Sequence, residues 1–170
     1  TGIDHGTVTA VSDGHPFEIT TLRRDVSTDG RRATVAFTDD WKEDAARRDF
    51  TINAIFLDPD GTVHDPAGGL ADLAARRVRF VGDPATRIAE DVLRVLRYYR
   101  FEARFGNGAG DPEARAACRA AAPLLPNLSA ERVMHELTRL LAVADPVPAL
   151  KMMAEDGVLA TQCGDGGGER

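Results

Sequence analysis

The stretch Ala89-Glu90-Asp91-Val92-Leu93-Arg94-Val95-Leu96-Arg97-Tyr98-Tyr99-Arg100-Phe101, AEDVLRVLRYYRF, reads as a helix. Its period extends over Ala85–Phe105, and Gly106-Asn107-Gly108 supplies the stop. At 100° per residue, Ile88, Val92, Val95, Leu96 and Tyr99 share one face. Arg87, Asp91, Arg94, Arg97, Arg100 and Arg104 spread over the other. Leu93 and Phe101 are apolar yet lie on the charged side, so that side is expected to be partly covered. Residues 76–105 hold eight arginines and four acids, a balance of +4, inside a chain of net charge -6. Every base in this window is arginine, whose planar fork binds phosphates and carboxylates in bidentate fashion. A solvated face laced by pairs such as Asp91 with Arg94 is the plain alternative.

Outward from this helix, the chain divides into a strand-rich first half and a helical second half. Residues 6–12 and 16–22 alternate and flank the turn Ser12-Asp13-Gly14-His15, which predicts a β-hairpin. Residues 24–37 show no sustained period and read as a loop. Thr38-Asp39-Asp40 caps a helix through about Arg48. The apolar run Thr51–Leu57 continues as strand. Asp58-Pro59-Asp60-Gly61 turns the chain into a short return strand at 62–65. Later come a helix at 112–122 ended near Pro123 and Pro126, a helix capped by Ser129, and a short helix after Pro148. Residues 164–170 read as a flexible tail. The expected fold is α+β, with its seam near residues 80–86.

The 170 residues suit one large domain or one with part of another. No stretch is long and apolar enough to span a bilayer as a helix, so no membrane partner is expected. Two distant cysteines, Cys118 and Cys163, have no metal-type spacing and fit a reducing, cytoplasmic setting. The acidic total argues against indiscriminate nucleic-acid binding and leaves room for a local basic site.

Asp91 and Arg94 have a sharper use. Cytosine and adenine each present an amino donor beside a ring-nitrogen acceptor on the Watson–Crick edge. A carboxylate takes the amino hydrogen and a guanidinium gives to the ring nitrogen. Guanine and uracil leave the same two groups mismatched, at about 1–3 kcal/mol for each buried polar group left unpaired. Two further segments stand out. RRDFTINAI, residues 47–55, ends a helix with two bases and an acid. Its arginine can neutralise a triphosphate, and Asp and Asn suit ribose hydroxyls. An ordinary helix terminus is the plain reading there. DPAGGLADL, residues 65–73, is a turn and helix start in which the Gly-Gly pair suggests flexibility.

Together, HGTVTAV, FEITTLR, RRDFTINAI, DPAGGLADL, EDVLRVLRYYRF and, more weakly, SAERVMHEL resemble the bacterial and eukaryotic class of CCA-adding tRNA nucleotidyltransferases (class II), with the related bacterial poly(A) polymerases. The resemblance covers about residues 2–160, in order. It implies a small mixed-sheet head, here an incomplete nucleotidyltransferase palm over 1–82, a helical neck over 83–163, and the tail at 164–170. It implies that Arg48 contacts the nucleotide, with Asp49 and Asn53 near the ribose. Asp91 and Arg94 would be the protein template for C or A, and Arg97 and Arg100 would line the same pocket. Asp65, Gly68 and Gly69 would belong to the flexible element that lets the pocket change from C to A. Glu131, Arg132 and Glu136 match a helical motif that supports the neck. The implied reaction is attack of a tRNA 3′-hydroxyl on the α-phosphate of CTP or ATP, with the tRNA acceptor end as partner and two Mg²⁺ ions assisting. Glu18 matches an acidic position near that centre.

The family's Gly-rich turn and Asp-x-Asp metal pair do not occur in this sequence, and the match begins just after them. The first residue is Thr1. The expectation is therefore a portion of a longer enzyme that is inactive alone. The other readings are a poly(A) polymerase, a non-catalytic module binding nucleotides or RNA ends, and a purely structural helical domain.

Overall fold

The structure, a computed structural model, describes residues 7–29 and 32–162. Strands β1 (Thr7–Ser12) and β2 (His15–Thr20) form an antiparallel hairpin. Its turn uses Asp13 and Gly14, both at positive φ, as the sequence predicts. Opposed residues share a face. Val8, Ala10, Phe17 and Ile19 therefore form one face, and Thr7, Thr9, Glu18 and Thr20 the other.

A second hairpin, β3 (Arg23–Asp29) with β4 (Arg32–Phe37), replaces the loop expected over 24–37. Its register shifts between Asp25 and Ser27. That bulge breaks the period-two signal and hides the strand in the sequence. Gly30 and Arg31 lie outside the described residues. The tail at 164–170, Cys163 and Gly6 also lie outside them.

Helix α1 (Trp41–Ala46) starts at Asp40, whose side chain accepts from the Lys42 N–H at 2.7 Å. The run after it is not continuous strand. Thr51–Asn53 form a 3-10 turn, and only Phe56–Leu57 (β5) pair with Val63–His64 (β6). Side chains hold the turn: Thr51 Oγ1 donates to Asp72 at 2.6 Å, and Asn53 donates to Asp49 at 2.9 Å. Helix α2 (Gly69–Ala74) packs on it so closely that a Cβ built on Gly69 would overlap the Thr51 carbonyl. Asp65 caps α2, accepting from the N–H groups of Gly69 at 2.6 Å and Leu70 at 2.9 Å.

The helix expected over Ala85–Phe105 is two helices, α3 (Pro84–Glu90) and α4 (Arg94–Phe105). Asp91 is extended, with φ -155 and ψ 105. Its Oδ1 accepts from the Leu93 N–H at 3.1 Å, so the side chain competes with the helical ladder and restarts the chain in a new direction. Periodicity cannot show such a break. Helices α5 (Pro112–Ala121), α6 (Ala130–Leu141), α7 (Val147–Glu155) and α8 (Val158–Gln162) complete the second half, with a 3-10 segment at Ala122–Asn127. Ser129 occupies the cap position of α6, but its hydroxyl makes no capping bond. The α7 helix begins at Val147, with Pro148 in its first turn where a missing N–H is harmless.

The observed class is α+β, and the described strands all pair antiparallel. The core runs through both halves. Phe50 bridges to Phe80 and packs against Phe101 at 4.7 Å between ring centroids. Phe80 stacks on Tyr98 at 5.9 Å. Leu93 and Phe101, the apolar residues on the arginine side, are both 8% exposed. α4 packs against α6 and α7, and α3 against α5.

One buried carboxyl in this core is poorly served. Glu102 Oε2 has no hydrogen-bond partner, and burial pushes the group up to about 7 despite the pull of the Val78 N–H. The native state keeps a proton that the unfolded chain releases near its ordinary 4.5. Stability is therefore expected to fall as pH rises from about 4.5 to about 7, by about 3 kcal/mol, and to level off above. Urea unfolding across that range should show the slope in the native sequence and its loss in Glu102→Gln. By the same method, Gly69→Ala should cost about 1–3 kcal/mol, as overpacking against a backbone carbonyl does.

Candidate nucleotide site

The end of α1, the 3-10 turn, the α3–α4 break and α6 meet around a cavity of 470 Å³. Its lining carries Arg23, Arg47, Arg48, Arg94, Arg97 and Arg132 against Asp49 and Asp91, a balance of +4. Thr20, Asn53 and Leu93 complete it.

Asp44, only 1% exposed, organises the α1 side. Its Oδ1 accepts from Arg47 and from the Arg23 N–H, and its Oδ2 accepts from Arg48 Nε and Nη2 at 3.0 and 2.8 Å. Burial pushes this carboxyl up, but the bonds from Arg47, the Arg23 N–H and Arg48 outweigh it and hold the group below the usual carboxylate value. The third branch of Arg48, Nη1, donates to the Asn53 carbonyl at 3.2 Å, and the guanidinium lies 4.9 Å from the Phe56 ring centroid.

Asp49 ties this wall to α4. Its Oδ1 takes the Asn53 amide, and its Oδ2 takes Arg97 Nε at 2.7 Å. Arg97 also lies 3.6 Å from Glu136 of α6, which in turn holds Arg100 at 2.5 Å.

Asp91 and Arg94 face the same cavity without pairing to each other. Asp91 Oδ2 accepts from Arg132 Nη2 at 2.7 Å. Arg94 Nη1 donates to Glu90 at 2.5 Å and to the Arg87 carbonyl at 2.7 Å. Glu90 also holds Arg87. The surface pair of the plain alternative is thus absent, and two separate clamps hold Asp91 and Arg94. Each clamp leaves capacity on the group it holds. Arg94 Nε and Nη2 donate to no described residue, and the Asp91 carboxylate has lone pairs beyond the two in use.

Arg48, Asp49, Asn53, Asp91, Arg94 and Arg97 therefore line one cavity, whereas Arg100 lines a different cleft further along α4. Glu18 is exposed on β2, on the same face as Thr20 at the cavity rim, but does not line the cavity. Asp65, Gly68 and Gly69 sit behind the 3-10 turn, where Gly68 adopts φ 75 and Gly69 serves close packing. Sequence reasoning missed Asp44 and Glu90 as clamps. Their signal was helical spacing, Asp44 three and four residues before Arg47 and Arg48, and Glu90 four before Arg94. Arg132 reaches Asp91 across 41 residues and left no local signal.

The chain is similar to known proteins in sequence and in fold. A family model described as "Poly A polymerase head domain" matches residues 1–79. A second, described as "Probable RNA and SrmB-binding site of polymerase A", matches residues 111–161. The chain belongs to the poly(A) polymerase and CCA-adding enzyme family. It is 47% identical over 159 residues to the Danio rerio protein named CCA tRNA nucleotidyltransferase 1, mitochondrial, covering 92% of this chain and 37% of that relative. It superposes on the crystal structure of the Bacillus stearothermophilus CCA-adding enzyme in complex with CTP with a TM-score of 0.84 and 38% identity, over 98% of this chain and 40% of that one. A CCA-adding enzyme in complex with ATP aligns with a TM-score of 0.71 and 25% identity, over 91% and 36%. The chain spans well under half the length of these relatives.

The Asp49–Arg97 pair gives a direct test of how the walls are joined. Asp49 is buried, but Arg97 is 27% exposed and also faces Glu136, so Asp49→Ala should cost about 1–3 kcal/mol. A double-mutant cycle with Arg97→Ala, read by urea unfolding, should return a coupling on the order of 2 kcal/mol.

Proposed function

We propose that this chain is the nucleotide-selecting part of a transferase that adds C and A to the 3′ end of tRNA, using CTP and ATP. The observation that carries the reading is the convergence of Asp91 and Arg94 on one arginine-lined cavity, each held from behind by another side chain. Arg132 and the Leu93 N–H hold the Asp91 carboxylate ready to accept an amino hydrogen. Glu90 and the Arg87 carbonyl fix Arg94 by one nitrogen and leave Nε and Nη2 to donate to a ring nitrogen. Arg47, Arg48 and Arg97 supply positive charge for a triphosphate, and Asp49 with Asn53 stands where ribose hydroxyls would be met. The names of the relatives favour CCA addition over poly(A) synthesis.

In the proposed reaction the tRNA 3′-hydroxyl attacks the α-phosphorus, the bond to the β-phosphate oxygen breaks, and pyrophosphate leaves. Mg²⁺ is the cofactor implied by the family. Among the described residues, no three His, Cys, Asp or Glu side chains group to hold a metal ion, and Glu18 stands alone on β2. These residues do not make that site. On this reading residues 1–82 and 83–163 act as head and neck, and the 170 residues select nucleotides without transferring them. The reading keeps a cytoplasmic setting, although the Danio rerio relative is named mitochondrial. No helix among the described residues is long and apolar enough to cross a membrane.

Calorimetric titration with CTP, ATP, GTP and UTP tests the proposal. CTP and ATP should bind at least roughly ten-fold more tightly than GTP and UTP, the effect of one mismatched buried polar group. Arg94→Ala should lose the preference. Equal binding of all four nucleotides by the folded native chain would sink it.

A further inference from the structure

The clamp on Arg48 fixes a point more than a plane. Its Nε and Nη2 both donate to one oxygen, Asp44 Oδ2, at 3.0 and 2.8 Å. A carboxylate that offered both oxygens would align the whole fork, whereas one oxygen lets the guanidinium swivel about it. Two contacts on the far side restrict that swivel. Nη1 donates to the Asn53 carbonyl at 3.2 Å, and the guanidinium carbon lies over the Phe56 ring, 4.9 Å from its centroid. The plane in which Arg48 presents its remaining N–H groups therefore depends on where Phe56 sits.

Phe56 belongs to the β5–β6 hairpin, whose strands are two residues each. So short a pair of strands is marginal on its own in water. Its outward pair, Leu57 and Val63, is exposed. Its inward pair is Phe56 and His64, and both rings meet Trp41, the first residue of α1. Trp41 and Phe56 lie 4.7 Å apart between centroids, tilted by 56°. Trp41 and His64 lie 5.2 Å apart and only 10° from parallel. Asp58 accepts from His64 Nε2 at 2.8 Å, which fixes the imidazole plane. Asp58, His64, Trp41, Phe56 and Arg48 thus form one line of contacts. Arg48 alone among these five lines the cavity. The base-facing groups are held elsewhere, Arg94 by Glu90 of α3 and Asp91 by Arg132 of α6.

We infer that Trp41 and His64 are positioning residues for the polyphosphate end of the nucleotide: their stack places Phe56, and Phe56 sets the plane of the Arg48 guanidinium. The inference rests on the proposed function for the triphosphate as ligand. Pairing of arginine with phosphate oxygens depends on the alignment of the fork, so a shift of the ring beneath it is felt as affinity. Because the base end has its own supports, the stack acts on the phosphates without acting on the choice of base.

The test uses the 170-residue chain, with calorimetry of CTP, GTP and inorganic triphosphate. Trp41 is the sole tryptophan, so its emission reads the stack directly and should shift when CTP or triphosphate binds. The His64 side chain is 33% exposed, so His64→Ala should leave the chain folded, as circular dichroism would show. His64→Ala should weaken CTP and triphosphate alike by roughly three- to ten-fold, the size of one lost aromatic contact, and leave the ratio of CTP to GTP affinity unchanged. Trp41→Leu should show the same loss. His64→Phe, which keeps a ring against Trp41, should restore most of the affinity. Val63→Thr, on the outward face of the same strand, should bind as the native chain does. In an Arg48→Ala background, His64→Ala should have no further effect. A further loss there overturns the inference, as does unchanged triphosphate affinity in folded His64→Ala or failure of the native chain to bind triphosphate. An equal loss in Val63→Thr, or no recovery in His64→Phe, also overturns it, in favour of a merely structural hairpin. Equal binding of the four nucleotides alongside the His64 effect defeats only the base-selection reading and leaves the positioning role standing.

Discussion

The pair between Asp49 and Arg97 is the contact on which the arrangement depends. It joins residues 48 apart in sequence, at 2.7 Å, directly above the packed rings of Phe50, Phe80 and Phe101. Ion pairs of this depth add little net stability, but losing one partner is costly. Their value lies in position. Asp49 is fixed by the backbone that pairs Phe50 with Phe80, and Arg97 is fixed by α4, so the bond sets where the α1 wall stands relative to the α4 wall. The aromatic cluster supplies the energy of the junction and the ion pair supplies its register.

From that junction the charge pattern follows outward in alternation. Asp49 holds Arg97, Glu136 holds Arg100 and approaches Arg97, Arg132 on the same helix as Glu136 holds Asp91, and Glu90 holds Arg94. Each arginine facing the cavity from α4 is thus oriented by an acid placed behind it. Such preorganisation lowers the entropy lost when a ligand is met. It also answers why an acidic chain gathers arginines on one helix: part of the acid surplus is spent aiming them.

Much of this was legible in the sequence, and the failures have physical causes. The first hairpin announced itself through alternation and a turn, whereas the second was hidden by the shift at Asp25–Ser27. The α4 face followed from its period, but the period passes unbroken through Asp91, where the structure breaks the helix. A side chain that bonds its own backbone leaves no trace in hydrophobic spacing. The residue types of the candidate site were readable from chemistry. Which acid holds which arginine was not, because Arg132 and Glu136 reach α4 and α3 only through tertiary packing. Gly69 read as flexibility and proved to be close contact with the Thr51 carbonyl.

The double use of Asp91 has a consequence for how such a site can diversify. One carboxylate stops α3, starts the turn into α4 and offers a lone pair to the cavity. A substitution at this position also alters where the helix begins, and so moves Arg94 as well. Asparagine retains the acceptor for the Leu93 N–H but changes the charge seen by Arg132. The lining of the cavity is therefore changed more readily through the residues that hold Asp91 and Arg94, such as Arg132 and Glu90, than through those two themselves. Drift in those holders can reshape the cavity wall while the backbone that presents it stays in place.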